Sequence, residues 1–459
     1  MAVPPDSGVR VRMAPSPTGF VHVGTARTAL FNDLFAHRHG GTFVLRLDDT
    51  DLERNQPEMI DPLVDGFRWL GLEWQEGWDV GGPHAPYRQS ERVDIYRDHA
   101  ARLLQSGAAY RCYCTPEELA EERRQAEAAK RPYVYSRRCL TNPPPGRDAF
   151  TVRFQVPAQE VVLHDLVRGE VRFDTGLIGD PVIVKSNGYP TYNFASPVDD
   201  AVMGITHVIR GEDHVPNTPI QILLIRALGY EPPEAYGHLP LILAPDRSKL
   251  SKRRHRVMLT DFRDQGYLPE AMANYLALLG WNPGGEEEIF TLGQLREMFD
   301  LDRVQKAGAV FDGEKLDWLN GQWIRRLPEP DLAERLRGYL PELPAAELPL
   351  AVEALRERLP KLADAPAMLA YLWTEPPAEP GASELLGPAT EALQAADWRP
   401  DQIEAVLNGL VETLGTSRGK LFGAIRTAVT GQKVAPPIHY TLALLPKERA
   451  LERLRKAAA

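Results

Sequence analysis

Long apolar runs are missing from this chain. Among its 459 residues no stretch approaches the ~18 apolar residues that a membrane-spanning helix needs, so no membrane partner is expected. The opening residues, MAVPPDSGVRVR, carry no apolar signal core, and the expectation is a cytoplasmic protein. Cysteine is scarce: three in a chain of this length argue against a disulfide framework. An excess of positive charge is absent too. Fifty-three basic and 63 acidic residues leave a net charge of −10, which excludes a generally basic nucleic-acid coat but leaves room for a local basic surface. SKRRHR at 251–256, RPYVYSRR at 131–138 and WIRRL at 323–327 are candidates for such a surface, and each also reads as an ordinary solvated face. There is no internal repeat. GTSRGKL at 415–421 is no phosphate loop, because only three residues separate its glycines and Leu421 follows the lysine. Trp281, Trp318 and Trp323 lie in apolar contexts and read as core.

What is present is an ordinary globular composition, 43% hydrophobic and 25% charged, in a chain long enough for about three domains. VRVRMA at 9–14 alternates as a strand does. A Pro/Gly loop follows, and then Ala26, Ala29, Leu30, Leu34 and Phe35 recur at helical spacing over about 24–38. Gly40 and Gly41 stop that helix, and TFVLRL at 42–47 reads as the next strand. This is a β-α-β unit, the building block of a parallel nucleotide-binding sheet. From about 98 to 190 the character changes to an inserted mixed α/β module, with a charged helix at 115–131 and strands in FTVRFQV and EVRFD. Sheet signals resume with THVIRGED at 206–213, an apolar helix in PIQILLIRALG and a strand in LPLILAPD at 239–246. Beyond about 329 the pattern is almost all helix, broken by prolines.

Two loops carry the chemistry. In SPTGFVHVGTARTAL at 16–30, prolines stiffen the chain, Gly19 and Gly24 allow close backbone approach, and His22 stands before a helix whose positive end suits a phosphate. A tight loop with a capping histidine accounts for the same residues. In DRSKLSKRRH at 246–255, Lys249 and Lys252 could close over a polyphosphate, although an exposed basic loop reads the same way. Each loop follows a strand of one sheet, and together they favour the phosphate reading.

APSPTGFVHVGT closely resembles the HIGH-type signature of class I aminoacyl-tRNA synthetases, and SKLSKR resembles their KMSKS signature. The PSPTG wording is similar to bacterial-type glutamyl-tRNA synthetases. GGPHAPYRQSER, GYPTYNFASPVDD, VIRGEDHVPNTPIQILL, NYLALLGWNP, VFDGEKLDWLNGQWIR and LLPKERALERL extend the resemblance in order along nearly the whole chain. The resemblance implies an ATP-dependent ligase that charges tRNA(Glu) with L-glutamate through a glutamyl-adenylate, using ATP with Mg2+, as a monomer. It implies a Rossmann-type catalytic domain at 1–97 and 191–245 and an acceptor-end module at 98–190. A stem-contact domain at 246–328 and a helical anticodon-binding region at 329–459 would follow. Arg12, Tyr192 and Arg210 would surround the glutamate carboxylates and Ser16 would help place the amino acid. Gly19, His22 and Gly24 would meet ATP, with Lys249 and Lys252 at the triphosphate. Arg358 would help read the last anticodon base.

Two positions depart from the family's pattern. Asp48 opens DDTD where the family has a glutamate that receives the substrate's ammonium group, so the charge is kept with one methylene less of reach. Thr141 stands at the usual fourth zinc position, where it is a poor ligand. Tyr135 matches a tyrosine ligand of a related truncated family, which implies one structural zinc held by Cys112, Cys114, Tyr135 and Cys139; three reduced cysteines without metal are the alternative. Glutaminyl-tRNA synthetases differ in the loop wording and in their β-barrel C-terminal half. A non-catalytic RNA-binding paralogue is disfavoured by the intact His22, Lys249 and Lys252. A metabolic adenylyltransferase would leave the helical half without a purpose.

Overall fold

The computed structural model describes residues 8–51, 53–250, 257–376 and 383–459. It opens with the expected β-α-β unit: β1 (Arg10–Met13), α1 (Val23–Arg38) and β2 (Thr42–Leu45), with β1 and β2 parallel and Arg12 opposite Val44. Gly41 is required at the turn between α1 and β2, because a Cβ there would collide with the Val9 carbonyl. After α2 (Ile60–Trp69), β3 (Glu76–Gly77) joins β2 in parallel. α3 (Val93–Gln105) then leads into the inserted stretch.

There β4 (Ala109–Cys112), β5 (Thr151–Phe154) and β8 (Val182–Val184) form a three-stranded antiparallel sheet. α4 (Pro116–Ala128) fills the charged stretch. It starts at a capping box in which Thr115 and Glu118 each satisfy the other's backbone amide. α5 (Arg138–Thr141) is a single turn. The hairpin β6 (Glu160–Asp165) and β7 (Gly169–Asp174) lies elsewhere: β6 pairs with a strand of the nucleotide-binding half, so part of the inserted stretch extends that half's sheet.

α6 (Tyr192–Val202) precedes β9 (His207–Gly211), α7 (Thr218–Ala227) and β10 (Ala235–Leu239). β9 and β10 are parallel, in a sheet of order β7-β6-β10-β9. The amide of Thr206 donates to the carbonyl of Arg10 at 3.0 Å, which sets β9 beside β1. β10 corrects the sequence reading, which put a strand at 239–246. The sheet strand is AYGHL, ending where the expected one begins, and only the short β11 (Ile242–Leu243) lies in LPLILAPD; it pairs with β12 (Ala309–Val310). Gly237 and the buried His238 hid β10 from an apolar-run criterion. A Cβ at Gly237 would press on Leu301 Cδ1 at 3.1 Å, so the strand packs closely there.

The chain divides into two compact units, 1–261 with 273–312, and 262–272 with 313–459. The first holds every strand among the described residues and a core running from Val44 and Tyr87 through Phe154, Leu163 and Ile183 to Phe194 and Leu224. The second is helical, from Gly313–Arg326 to Lys447–Ala458. Trp281 and Trp323 are buried as expected. Trp318 is not: it is 45% exposed, because it stands five residues before Trp323 on one helix and so faces another way. GTSRGKL is the joint between helices Pro400–Thr413 and Arg418–Thr430, with Gly415 at positive φ and Ser417 capping the second helix.

Candidate active site

His22 is the N-cap of α1. Its Nδ1 accepts from the amides of Gly24 (3.1 Å) and Thr25 (3.3 Å), two of the donors that a helix N-terminus leaves over. An accepting Nδ1 puts the proton of the neutral ring on Nε2, which lies 3.0 Å from Thr25 Oγ1. Capping and phosphate contact are therefore compatible in one residue: the cap fixes the tautomer and sets the Nε2–H, beside Thr25 Oγ1, at the positive end of the helix. Gly24 belongs to the same device, since a Cβ there would stand 3.0 Å from His22 Cε1.

The lysine loop meets this point. Lys249 bridges Leu243, and beyond it Val257 accepts from the amide of Val23 (2.9 Å) while the Leu259 amide donates to Val21 (2.8 Å). The chain leaving Lys249 thus returns to pair on both sides of His22. Lys252 lies outside the described residues.

A cavity of about 650 Å³ opens here, within the range for a small-molecule site. Ser16, Gly19, His22, Gly24 and Lys249 line it, and so do Arg12, Asp48, Tyr192 and Arg210. All the described residues expected at glutamate and ATP come to this one cavity.

Its charged floor is a network that the sequence did not announce. Arg12 on β1 gives Nε and Nη2 to the two oxygens of Asp200 at 3.1 and 3.3 Å. Arg46, fully buried, holds Asp48 with Nε at 2.8 Å and Asp200 with Nη1 at 2.7 Å. Asp199 takes Arg92 Nε at 2.7 Å and the Tyr96 hydroxyl at 2.8 Å. Three arginines are thereby matched with three aspartates, two of them on α6 within the SPVDD motif. Burial pushes the Asp48 carboxyl up to about 6, against the pull of Arg46.

Arg210 on β9 is held differently. Its Nε donates to His238 Nε2 (3.2 Å), its Nη2 to Thr218 Oγ1 (2.8 Å) and its Nη1 to the Tyr192 hydroxyl (3.1 Å). All three partners are uncharged, and among the described residues no carboxylate forms an ion pair with Arg210. Of the five N–H groups of a guanidinium, two remain to fork onto an anion. His214 also lines the cavity, and burial together with Arg210 brings its imidazole down to about 4, so it adds no positive charge near neutrality.

The cysteines form a second site. The Sγ atoms of Cys112, Cys114 and Cys139 lie within 4.8 Å of one another, and the Tyr135 hydroxyl is 3.3 Å from Cys112 and 3.2 Å from Cys114. Cys114 and Cys139 stand 3.4 Å apart. A tetrahedral zinc with Zn–S of about 2.3 Å asks for donors separated by slightly more than this. Arg138 donates to Cys114 Sγ at 3.1 Å, and Arg153 lies 4.0 Å over the Tyr135 ring. Three thiolates, a tyrosinate, a divalent ion and these two guanidiniums would sum to zero, so the donor set fits the metal. Thr141 is exposed and turns its hydroxyl to the Arg138 carbonyl.

In the second unit, Arg358 follows the helix Leu348–Arg356 and donates to the Ala435 carbonyl at 2.8 Å. Arg46, Asp199, Asp200, Asp165, Thr218 and His238 are the site residues that the sequence reading missed. SPVDD, with adjacent acids inside an apolar helix, was the one signal on offer.

A parallel sheet with a capped helix end at its cavity is the arrangement of a nucleotide-binding α/β domain. Residues 8–318 match the catalytic domain of class I tRNA synthetases for E and Q, and 331–458 match an anticodon binding domain. The chain belongs to the glutamate–tRNA ligase family of class I synthetases. It is 46% identical to the glutamate–tRNA ligase of Moorella thermoacetica, across 98% of each chain, and 44% identical to that of Symbiobacterium thermophilum, across 97% and 99%. A crystal structure of a glutamate tRNA ligase from Elizabethkingia meningosepticum in complex with its amino acid superposes with a TM-score of 0.88 at 33% identity, covering 98% of this chain and 99% of that one.

Proposed function

We propose that the chain attaches L-glutamate to the 3′ end of tRNA(Glu), using ATP and releasing AMP and pyrophosphate. The observation that carries the reading is one cavity joining a helix N-terminus to an arginine with which, among the described residues, no carboxylate forms an ion pair. In this reading Arg210 and Tyr192 hold the glutamate carboxylates beside Arg12, whose guanidinium Asp200 fixes, Asp48 receives the ammonium group, and Ser16 helps place the substrate. His22 Nε2–H, Gly24 and the end of α1 meet ATP beside Gly19, while Lys249 and Lys252 neutralise the departing pyrophosphate with Mg2+. The glutamate α-carboxylate attacks the α-phosphate to form glutamyl-adenylate; the terminal ribose hydroxyl of the tRNA then takes the acyl group. No protein nucleophile takes part, so orientation and electrostatics supply the acceleration.

Residues 98–190 would hold the acceptor end, 246–328 the stem, and 329–459 the anticodon, with Arg358 at its last base and the enzyme acting as a monomer. Cys112, Cys114, Tyr135 and Cys139 would hold a structural zinc that ties α5 and the residues before it to the end of β4. Metal analysis should then find one zinc per chain, falling below half in Cys139→Ser. Aminoacylation with purified tRNA(Glu) and tRNA(Gln) in parallel tests the whole reading. Charging of tRNA(Glu) with glutamate is expected, and charging of neither tRNA would overturn it.

A further inference from the structure

Arg210 is set by a pair of buried groups that no reading of the signatures includes. Asp165 ends β6 and His238 lies on β10; both side chains are fully buried. Asp165 Oδ1 accepts from the amides of Val167 (2.9 Å) and Arg168 (2.8 Å), while Oδ2 receives His238 Nδ1 at 2.5 Å and the His238 amide at 3.1 Å. A carboxylate only accepts, so the proton of the imidazole is on Nδ1 and Nε2 presents a lone pair. That lone pair faces Arg210 Nε at 3.2 Å, with Thr218 Oγ1 also 3.2 Å away. His238 and Thr218 together occupy the Nε/Nη2 edge of the guanidinium. The Nη1/Nη2 end is what remains for a carboxylate.

We propose that Asp165 and His238 are positioning residues for the known reaction: Asp165 fixes the His238 tautomer, and neutral His238 turns the end of the Arg210 guanidinium toward the substrate carboxylate. The proposal rests on the reading that Arg210 binds glutamate. The opposite tautomer would aim N–H at N–H across 3.2 Å and turn the arginine away. A protonated ring would do the same and add a second cation. Charged and titratable groups face His238 from several elements: Asp165 from β6, Arg210 from β9, and Tyr236 on β10 with its ring 6.2 Å away. Arg12 of β1 acts through its charge, and His214 of the segment before α7 lies in the same field. Burial and the two arginines outweigh Asp165 and hold the His238 imidazole below its ordinary range, so it is neutral at working pH.

The decisive variant is Asp165→Asn. Two backbone amides claim the Oδ1 position, so the amide oxygen must sit there and the amide nitrogen must face His238 Nδ1. The ring then carries its proton on Nε2. The experiment is steady-state charging of tRNA(Glu) with glutamate and ATP varied in turn, alongside 15N spectra of histidine-labelled enzyme. The KM for glutamate should rise at least about tenfold while that for ATP stays within about twofold, and the His238 resonances should change from the Nδ1–H to the Nε2–H pattern. His238→Gln supplies a carbonyl acceptor whatever residue 165 is, so Asp165→Asn/His238→Gln should bind glutamate no worse than His238→Gln alone.

Arg210→Gln, assayed in parallel, separates the two claims. An unchanged glutamate KM in that variant would overturn the reading of Arg210 itself. A raised KM there with an unchanged KM or an unchanged tautomer in Asp165→Asn would overturn the positioning roles alone. Should Asp165→Asn fail to fold, His238→Gln against His238→Leu decides: a higher glutamate KM with Leu supports the proposal, and equal values overturn it.

Discussion

Arg12 and Arg210 line the same cavity, yet their surroundings differ in kind. Arg12 sits in a lattice of full charges in which Asp200 takes the Nε/Nη2 edge of its guanidinium with both carboxylate oxygens and Arg46 shares the same carboxylate. Arg210 touches an imidazole, a threonine and a tyrosine, none of them charged. A buried ion pair neutralises itself and mainly fixes geometry. A buried cation held by neutral acceptors keeps its charge for whatever enters. The first arrangement makes a rigid floor and the second makes a receptor. In the proposed reading, a cavity that receives both an acidic amino acid and ATP has use for both.

The comparison can be broken most severely at Asp200. Asp200→Asn strips Arg12 and Arg46 of a shared counter-charge, and removing one partner from a buried pair costs about 3–5 kcal/mol. Denaturant unfolding of the first unit should show a loss of that size, and an unchanged midpoint would mean the network is not the floor described here. The phosphate end offers a milder test, because its geometry rests on the His22 cap rather than on a buried ion pair. Gly24→Ala puts a methyl group against the His22 ring and should displace the cap, a change of about 1–2 kcal/mol. kcat/KM for ATP should fall roughly tenfold, with the KM for glutamate little changed.

Asp48 sharpens the comparison through pH. Its carboxyl titrates near 6 because burial outweighs Arg46. Only the ionised form attracts an ammonium group, so the KM for glutamate should rise as pH falls through about 6. That limb of the profile should vanish in Asp48→Asn, and a limb that persists there would assign the titration elsewhere. This is the smallest of the expected effects, a fewfold change over one pH unit.

Local elements of this fold were open to reading before any coordinates. The β1-α1-β2 unit and the charged helix α4 rest on periodicity and composition, which are short-range properties, and each lies where its residues indicate. The contacts that govern the arginines are long-range. Arg12 meets Asp200 across 188 positions and His238 meets Asp165 across 73. No local pattern marks such pairs. β10 was misplaced for a related reason: its glycine and histidine are selected by what packs on them, Leu301 and Asp165, and they interrupt the apolar run that would have announced a strand. Trp318 shows the converse, an aromatic residue in apolar company that helical phase turns outward. The resemblance to glutamyl-tRNA synthetases identified the lining residues of the cavity, but it did not distinguish the compensated arginine from the uncompensated one.

That distinction is the central claim, and paired substitutions test it most directly. Thermal unfolding and the glutamate KM should be measured for Arg12→Gln and Arg210→Gln side by side. Arg210→Gln should raise the KM for glutamate by roughly 100-fold, the worth of a charge-assisted fork, with little change in Tm. Arg12→Gln should lose chiefly stability, about 1–3 kcal/mol, since Asp200 keeps Arg46. If Arg12→Gln instead abolished glutamate binding without loss of stability, while Arg210→Gln mainly lowered Tm, the assignment of floor and receptor would be contradicted.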